Sequence, residues 1–288
     1  MNYISNRLIE KFSSGPSEYS EDGLRTTRDK IVELLGSDYE VFLQGSYKND
    51  TAIYDINDID IVAVRVKNIP KLWDAILWEN IFDDIQKKIL SFSLYSGKVI
   101  KENKCIKLQL QKKKADIVPA VRHDVYEISR NGFNEPIQVF DRLTQRVINN
   151  YPKTHYDLGA KLNQLTNGNY KKCVRLMKNF VKNHDGTKVA PSFYIECLIH
   201  SYNEQIFVQP SIESFYYICD HIANGADFNM QFKSVAGDKI IIQNEEWSYS
   251  NFSTFKNYLR NKLLHLKDAI GAQDNVEADK HFKLFFNL

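Results

Sequence analysis

Two aspartates one residue apart, Asp58 and Asp60, open the run DIDIVAV, which is otherwise built from Ile, Val and Ala. Such a run reads as a buried β-strand. Side chains alternate along a strand, so Asp58 and Asp60 share one face while Ile59 and Ile61 share the other. Adjacent ionised carboxylates repel, and burying them without a partner is costly. Something cationic must therefore stand against the acidic face. Oxygen-only ligands at neighbouring same-face positions suit a hard divalent ion, Mg²⁺ or Mn²⁺, whose shell is completed by phosphate oxygens and water. A solvent-facing strand is the plainer explanation, but it suits a single aspartate better than a pair leading into a fully apolar run. Asp50 and Asp55, in the polar stretch before the strand, read as turn residues.

A third carboxylate, Asp116 in KKADIVPAV, opens another apolar strand. Three carboxylates from two neighbouring strands can hold two cations roughly 3.5–4 Å apart, an arrangement that activates a hydroxyl for in-line attack on phosphorus and steadies departing pyrophosphate. Gly45-Ser46 fits the same chemistry. The glycine lets backbone amides approach a phosphate, and the serine hydroxyl adds a donor. A bare Gly-Ser carries little weight alone; followed by DID eleven intervening residues later, it carries much more.

The rest of the chain restricts the function classes. Its 288 residues suit one large domain or two intimately packed ones. A formal net charge of +2 does not fit a dedicated nucleic-acid binder. Cys105, Cys173, Cys197 and Cys219 form no CxxC pair and read as free thiols in a reducing cytosol. No signal-peptide pattern opens the chain and no 18-residue apolar run interrupts it, so a soluble, cytoplasmic protein is expected.

Apolar spacing predicts helix over residues 3–36, interrupted at Ser13-Ser14-Gly15-Pro16-Ser17. A strand at Tyr39–Leu43, a polar turn or short helix, the Asp58–Val66 strand and a helix over Pro70–Ser91 follow. Alternation around Ile106, Leu108 and Leu110, then ADIVPAV, predicts a hairpin, which Val125–Ser129 could extend. Beyond about residue 140 the pattern is helical, at 154–166, 170–184, 191–205, 211–224 and 252–272, with a weak strand at Lys239–Gln243. The expected fold is mixed α/β (α+β), with units at 1–140 and 141–288.

The order G-S, D-x-D, then a later D on a neighbouring strand resembles the DNA polymerase β-like nucleotidyltransferase superfamily. QGSYKNDTAI, DIDIVAV, ADIVPAV, YKKCVRLMKNFVKN and PSFYIECLI together resemble the bacterial cGAS/DncV-like nucleotidyltransferases, or CD-NTases, in blocks from residue 40 to residue 200. The resemblance implies a catalytic lobe with a mixed sheet and an N-terminal spine helix, and a helical C-terminal lobe closing the nucleotide cleft. It makes Asp58, Asp60 and Asp116 the ligands of two Mg²⁺ or Mn²⁺ ions, and Gln44, Gly45 and Ser46 the phosphate loop. Lys178 and Ser192 match triphosphate contacts, and Asn163 and Thr166 lie where relatives place base-reading side chains. The zinc insertion of the animal cyclic GMP–AMP synthase has no counterpart here.

Several residues carry two readings. Lys171, Arg175, Lys178 and Lys182 form one helical stripe, either a solvated basic face or a phosphate grip; Lys178 is assigned to the triphosphate, Arg175 stands open, and the other lysines are left to solvent. Ser192 also suits a helix N-cap. Tyr194 reads as a base-stacking or a core residue, and Asn163 and Thr166 as base readers or helix-surface and capping residues. The histidines look scattered and structural.

The expected reaction is successive attack of a ribose hydroxyl on an NTP α-phosphate, giving a cyclic dinucleotide for antiphage signalling. Asp116 would help deprotonate the hydroxyl. NTPs are the expected substrates, a cyclic-nucleotide-responsive effector the indirect partner, with no DNA or membrane required and a monomer as the acting form. The alternatives are a nucleotidyltransferase acting on a small molecule, a tRNA end or a protein, and a nucleotide sensor with an inert site.

Overall fold

The computed structural model describes residues 3–16, 18–54, 58–66, 75–111, 113–122, 135–208 and 210–288. Asp55, the start of the helix expected from Pro70 and the strand expected at Val125–Ser129 lie outside them. The chain forms two compact units: Pro16–Asn49 with Asp55–Tyr156, and Met1–Gly15 with Asp50–Tyr54 and Asp157–Leu288. Packing thus departs from the expected division at residue 140. The expected break at Gly15-Pro16 falls between α1 (Asn6–Ser13) and α2 (Glu18–Leu35), and only α2 stays with the sheet.

The first unit is built on a mixed sheet. Its strands are β1 (Tyr39–Gln44), β2 (Asp58–Arg65), β3 (Val99–Lys101), β4 (Ile106–Gln109), β5 (Lys114–Arg122), β6 (Ile137–Asp141) and β7 (Arg146–Asn150). Among the described residues they order β1-β2-β5-β4-β3, with β6 on the outer half of β5 and β7 on β6. Among the described strands only β2 and β5 run parallel. A parallel pair needs a long crossover, and α4 (Ala75–Leu90) with β3 and β4 lies in that connection. The β4–β5 hairpin is as expected.

Alternation decides the two faces. Ile59, Ile61, Ala115 and Ile117 are fully buried. On α4, Trp78, Phe82, Ile85 and Ile89 recur at helical spacing and are fully buried as well; α2 and α4 pack on each other and on the sheet. The opposite face carries the aspartates at the start of β2 and β5, then turns apolar: Val62 and Val64 cluster with Ala120, Ile137 and Val139. Periodicity missed β6 and β7, because the five residues of β6 are all buried and show no alternation.

The second unit is helical: it takes up the helix Pro152–Leu165 from Asp157 onward and adds Asn169–Asn183, Ser192–His200, Ser211–Asp220, Tyr249–Gly271 and Asn275–Phe285, the last not foreseen. The weak strand expected at Lys239–Gln243 is reduced to one isolated bridge, Lys233 to Ile240. Asn169–Asn183 is buried from Tyr170 to Val181 except at Lys172. The last helix holds α1: Phe12 stacks on Phe286 at 4.1 Å and meets Phe282 edge-on at 6.0 Å, while the Ser5 backbone N–H donates to Asp279 Oδ1 at 2.8 Å. The four cysteines are free, and three of them are buried. Among the described residues no helix is long and apolar enough to cross a membrane.

We predict that Phe12→Ala lowers the unfolding free energy of the helical unit by about 3–5 kcal/mol, through lost burial and the cavity left behind. Urea denaturation followed by far-UV circular dichroism checks this, and a change below about 1 kcal/mol would refute the packing role.

Candidate active site

Strand register assembles the acidic face. Gln44 on β1 pairs with Asp60 on β2, Asp60 with Asp116 on β5, and Asp116 with Lys107 on β4. One row across four strands therefore reads Gln44, Asp60, Asp116, Lys107. Asp58 sits two residues before Asp60 on the same face, opposite Lys114. Asp58 is exposed, while Asp60 and Asp116 are half-buried.

Burial raises the Asp116 carboxyl above the ordinary carboxylate range; the Lys107 ammonium holds it down, and the charge of Asp58 raises it further. Asp116 Oδ1 is buried without a hydrogen-bond partner. An orphaned carboxylate oxygen beside two more carboxylates is a donor set that fits a hard divalent ion. Among the described residues, the group of His, Cys, Asp or Glu whose ligand atoms lie within 4.8 Å of one another is elsewhere, at His265, Asp268 and His281; the three aspartates are spread more widely.

Gly45 is required by this geometry. Its φ is +69°, and a Cβ there would stand 2.0 Å from Asp60 Oδ2. Glycine therefore lets the turn α3 (Gly45–Lys48) close onto the carboxylate. Ser46 is half-buried in that turn. Gln44 Oε1 accepts a long bond, 3.4 Å, from Asn150 Nδ2.

The basic stripe turns inward rather than to solvent. Lys171, Arg175 and Lys178 are only 8, 8 and 5% exposed, and Lys172 and Lys182 alone of the group face solvent. Leaving Lys171 to solvent is therefore corrected. Lys178 Nζ donates to Glu196 Oε1 at 2.5 Å and to the carbonyl and hydroxyl oxygens of Thr51 at 3.0 and 3.1 Å. Glu196, 3% exposed, also accepts from the Thr51 hydroxyl at 2.5 Å. Arg175 Nη2 binds both the carbonyl and the carboxylate of Asp50 at 2.6 Å, Nη1 reaches the Ser13 carbonyl at 3.2 Å, and Lys171 adds a 3.4 Å contact to Asp50. Asp50, with φ +52°, is an anchored turn residue. These cations hold Asp50 and Thr51, which follow the Gly45–Lys48 turn in the chain. Sequence reading missed Glu196, Thr51 and Lys107. A lone Glu in the apolar stretch FYIECLI was the available sign for Glu196.

The base-reading candidates divide. Asn163 Oδ1 accepts the Lys171 backbone N–H at 3.1 Å, capping the basic helix, and its amide nitrogen has no partner among the described residues. The Thr166 hydroxyl, buried, donates to the Leu162 carbonyl at 2.8 Å and accepts from the Tyr170 N–H at 3.3 Å. It is a capping residue. Tyr194 stacks on Trp247 at 5.7 Å and donates to Glu246 Oε2 at 3.0 Å, and burial raises its hydroxyl pKa. It is a core residue. Ser192 is exposed as the first helical residue; Pro191 occupies the N-cap expected for it.

We predict that Lys178→Met alone costs about 3–5 kcal/mol of stability, since it removes the ammonium paired with the buried Glu196 carboxylate. Lys178→Met/Glu196→Met should recover most of that loss. A double-mutant cycle by denaturant titration measures the coupling, and strictly additive losses would refute the pair.

The sequence model of the cGAS/DncV-like nucleotidyltransferase C-terminal helical domain matches residues 157–264. The cyclic nucleotide synthase CdnE01 of Staphylococcus haemolyticus is 30% identical over 236 residues, covering 71% of this chain and 79% of that protein. The cyclic UMP-AMP synthase of Rhodothermus marinus is 26% identical over 272 residues, covering 84 and 93%. Among solved structures, R. marinus CdnE c-UMP-AMP synthase with Apcpp and Upnpp superposes with a TM-score of 0.72 at 24% identity, over 90% of this chain and 96% of that one. Escherichia coli MS115-1 CdnC with ATP gives a TM-score of 0.74 at 13% identity, over 100 and 98%. With the strand-borne carboxylates and the Gly-Ser turn in place, the chain belongs to the bacterial cGAS/DncV-like nucleotidyltransferases and is an enzyme of cyclic nucleotide synthesis.

Proposed function

We propose that this enzyme joins two nucleoside triphosphates into a cyclic dinucleotide used as a signal in antiphage defence. The observation that carries the chemistry is the register of Asp60 beside Asp116, with Asp58 on the same face and one Asp116 oxygen buried without a partner. Asp58, Asp60 and Asp116 would hold Mg²⁺ or Mn²⁺, which supplies charge neutralisation at the phosphates and at the attacking oxygen when bound.

In each transfer a ribose hydroxyl oxygen forms a bond to the α-phosphorus of an NTP, the α–β phosphoanhydride breaks, and pyrophosphate leaves. The displaced proton goes to the Asp116 carboxylate. The Gly45 backbone and the Ser46 hydroxyl bind phosphate oxygens. Ser192 is available for the same role at the start of its helix. Lys178 acts at one remove, by fixing Thr51. A second transfer within the linear intermediate closes the ring.

Asn163 is the remaining base reader. Its oxygen is oriented toward the Lys171 N–H, which leaves the amide N–H groups the better placed to meet an acceptor edge. The product would act through a cyclic-nucleotide-responsive effector, and no DNA is required. With a net charge of only +2, synthesis by the purified protein is expected without added DNA.

Incubating the protein with four NTPs and Mg²⁺ or Mn²⁺, then analysing products by mass spectrometry, tests the proposal; no cyclic product under any combination would overturn it. Asp58→Asn/Asp60→Asn should remove product formation while leaving the circular dichroism spectrum unchanged, since it relieves like-charge repulsion. Asn163→Ser should change which NTPs are used more than the total rate, because a polar site discriminates strongly between partners. An unaltered product spectrum would remove Asn163 from base selection.

A further inference from the structure

The last two helices bring together residues far apart in the sequence. His265 and Asp268 lie on Tyr249–Gly271 at i and i+3, hence on one face. His281 lies on Asn275–Phe285, which packs against it. One ligand atom from each residue falls within 4.8 Å of the other two. The imidazole rings stand 5.8 Å apart, and His281 Nδ1 is 3.7 Å from Asp268 Oδ2.

Nδ1 of His265 and Nδ1 of His281 are both buried without a hydrogen-bond partner. Buried imidazole nitrogens are ordinarily satisfied, so a pair left open beside a carboxylate calls for a shared partner. We propose that His265, Asp268 and His281 bind a divalent transition-metal ion of the Zn²⁺ class. Two imidazoles and one carboxylate are a borderline ligand set that Zn²⁺, Co²⁺ and Ni²⁺ accept and the hard Mg²⁺ ion does not. Three ligand atoms at roughly 2.0–2.2 Å from one ion stand about 3.4 Å apart, so side-chain adjustments of about 1 Å close the set. Asp268 is partly exposed, at 41% of its side chain, which leaves the fourth position to water.

The site is structural rather than catalytic. It staples the helix that carries Phe282 and Phe286 to its neighbour, and those rings hold Phe12 of α1. It lies in the helical unit, whereas the three aspartates belong to the sheet unit. It rests on residues independent of the proposed nucleotide chemistry, and either can fail alone.

The test uses tag-free full-length protein stripped with a chelator and returned to excess Mg²⁺, which occupies oxygen-only sites. Co²⁺ is titrated and followed by visible absorption, and Zn²⁺ uptake is counted after gel filtration. One ion per chain is expected, raising the unfolding midpoint by roughly 5 °C at a hundredfold excess over Kd. His265→Ala and His281→Ala should each weaken uptake at least tenfold. His281→Gln, which keeps much of the side-chain volume, should do the same with the metal-free unfolding midpoint preserved. NTP turnover in Mg²⁺ should be unchanged in all three. No uptake by the wild-type chain, or uptake undiminished in folded His281→Gln, would overturn the site.

Discussion

The register of β2 against β5 is the constraint on which the acidic face depends. It sets Asp60 directly beside Asp116, and one residue of slip would move either carboxylate to the apolar face with Ile59, Ile61, Ala115 and Ile117. Register of this kind is strongly specified because those side chains must be buried and because Val62 and Val64 must join the cluster beyond the aspartates. The repulsion concentrated on the row is answered within the fold by Lys107, which lies against Asp116 on β4. Gly45 follows from the same row, since any side chain there would meet the Asp60 carboxylate.

The basic helix illustrates why charge counting on a helical wheel misleads. A stripe of cations is ordinarily solvated, yet here Lys171, Arg175 and Lys178 point into the helical unit. Burying an ammonium without a partner is costly, and Glu196 offsets that cost for Lys178, with Thr51 completing its donor set. Such a pair contributes little net stability over an apolar replacement. Its value lies in fixing one arrangement, because neither partner tolerates loss of the other. The arrangement fixed here is that of Asp50 and Thr51, between the Gly-Ser turn and the acidic strand β2 in the chain.

Capping accounts for two of the residues that seemed poised to read a base. Thr166 and Asn163 both face the turn at Asn167 and Gly168, whose φ values of +49° and +87° reverse the chain into the basic helix. The first N–H groups of a helix have no internal acceptor, and these side chains supply one. Thr166 is consumed by that duty, whereas Asn163 gives up only its oxygen.

The acidic strands were legible in the sequence because alternation is local. A strand's period is fixed by backbone geometry, so DIDIVAV and ADIVPAV declared which face each aspartate takes. The Gly-Ser turn and the break at Gly15-Pro16 are likewise local backbone effects. What lay beyond the sequence depends on contacts between distant residues. Nothing in KKCVRLMKNF states that Lys178 meets Glu196, 18 positions on, or Thr51, 127 positions back. Lys107 was visibly on a half-buried strand, but only pairing set it beside Asp116. His265 and His281 looked scattered because the turn between their helices, not their spacing, brings their nitrogens together. The sequence alone determined the acidic strands and the chemistry they allow, through periodicity. Tertiary structure alone decided which charges are buried, which partners neutralise them and where the histidines converge, because desolvation and ion pairing act on neighbours in space rather than along the chain.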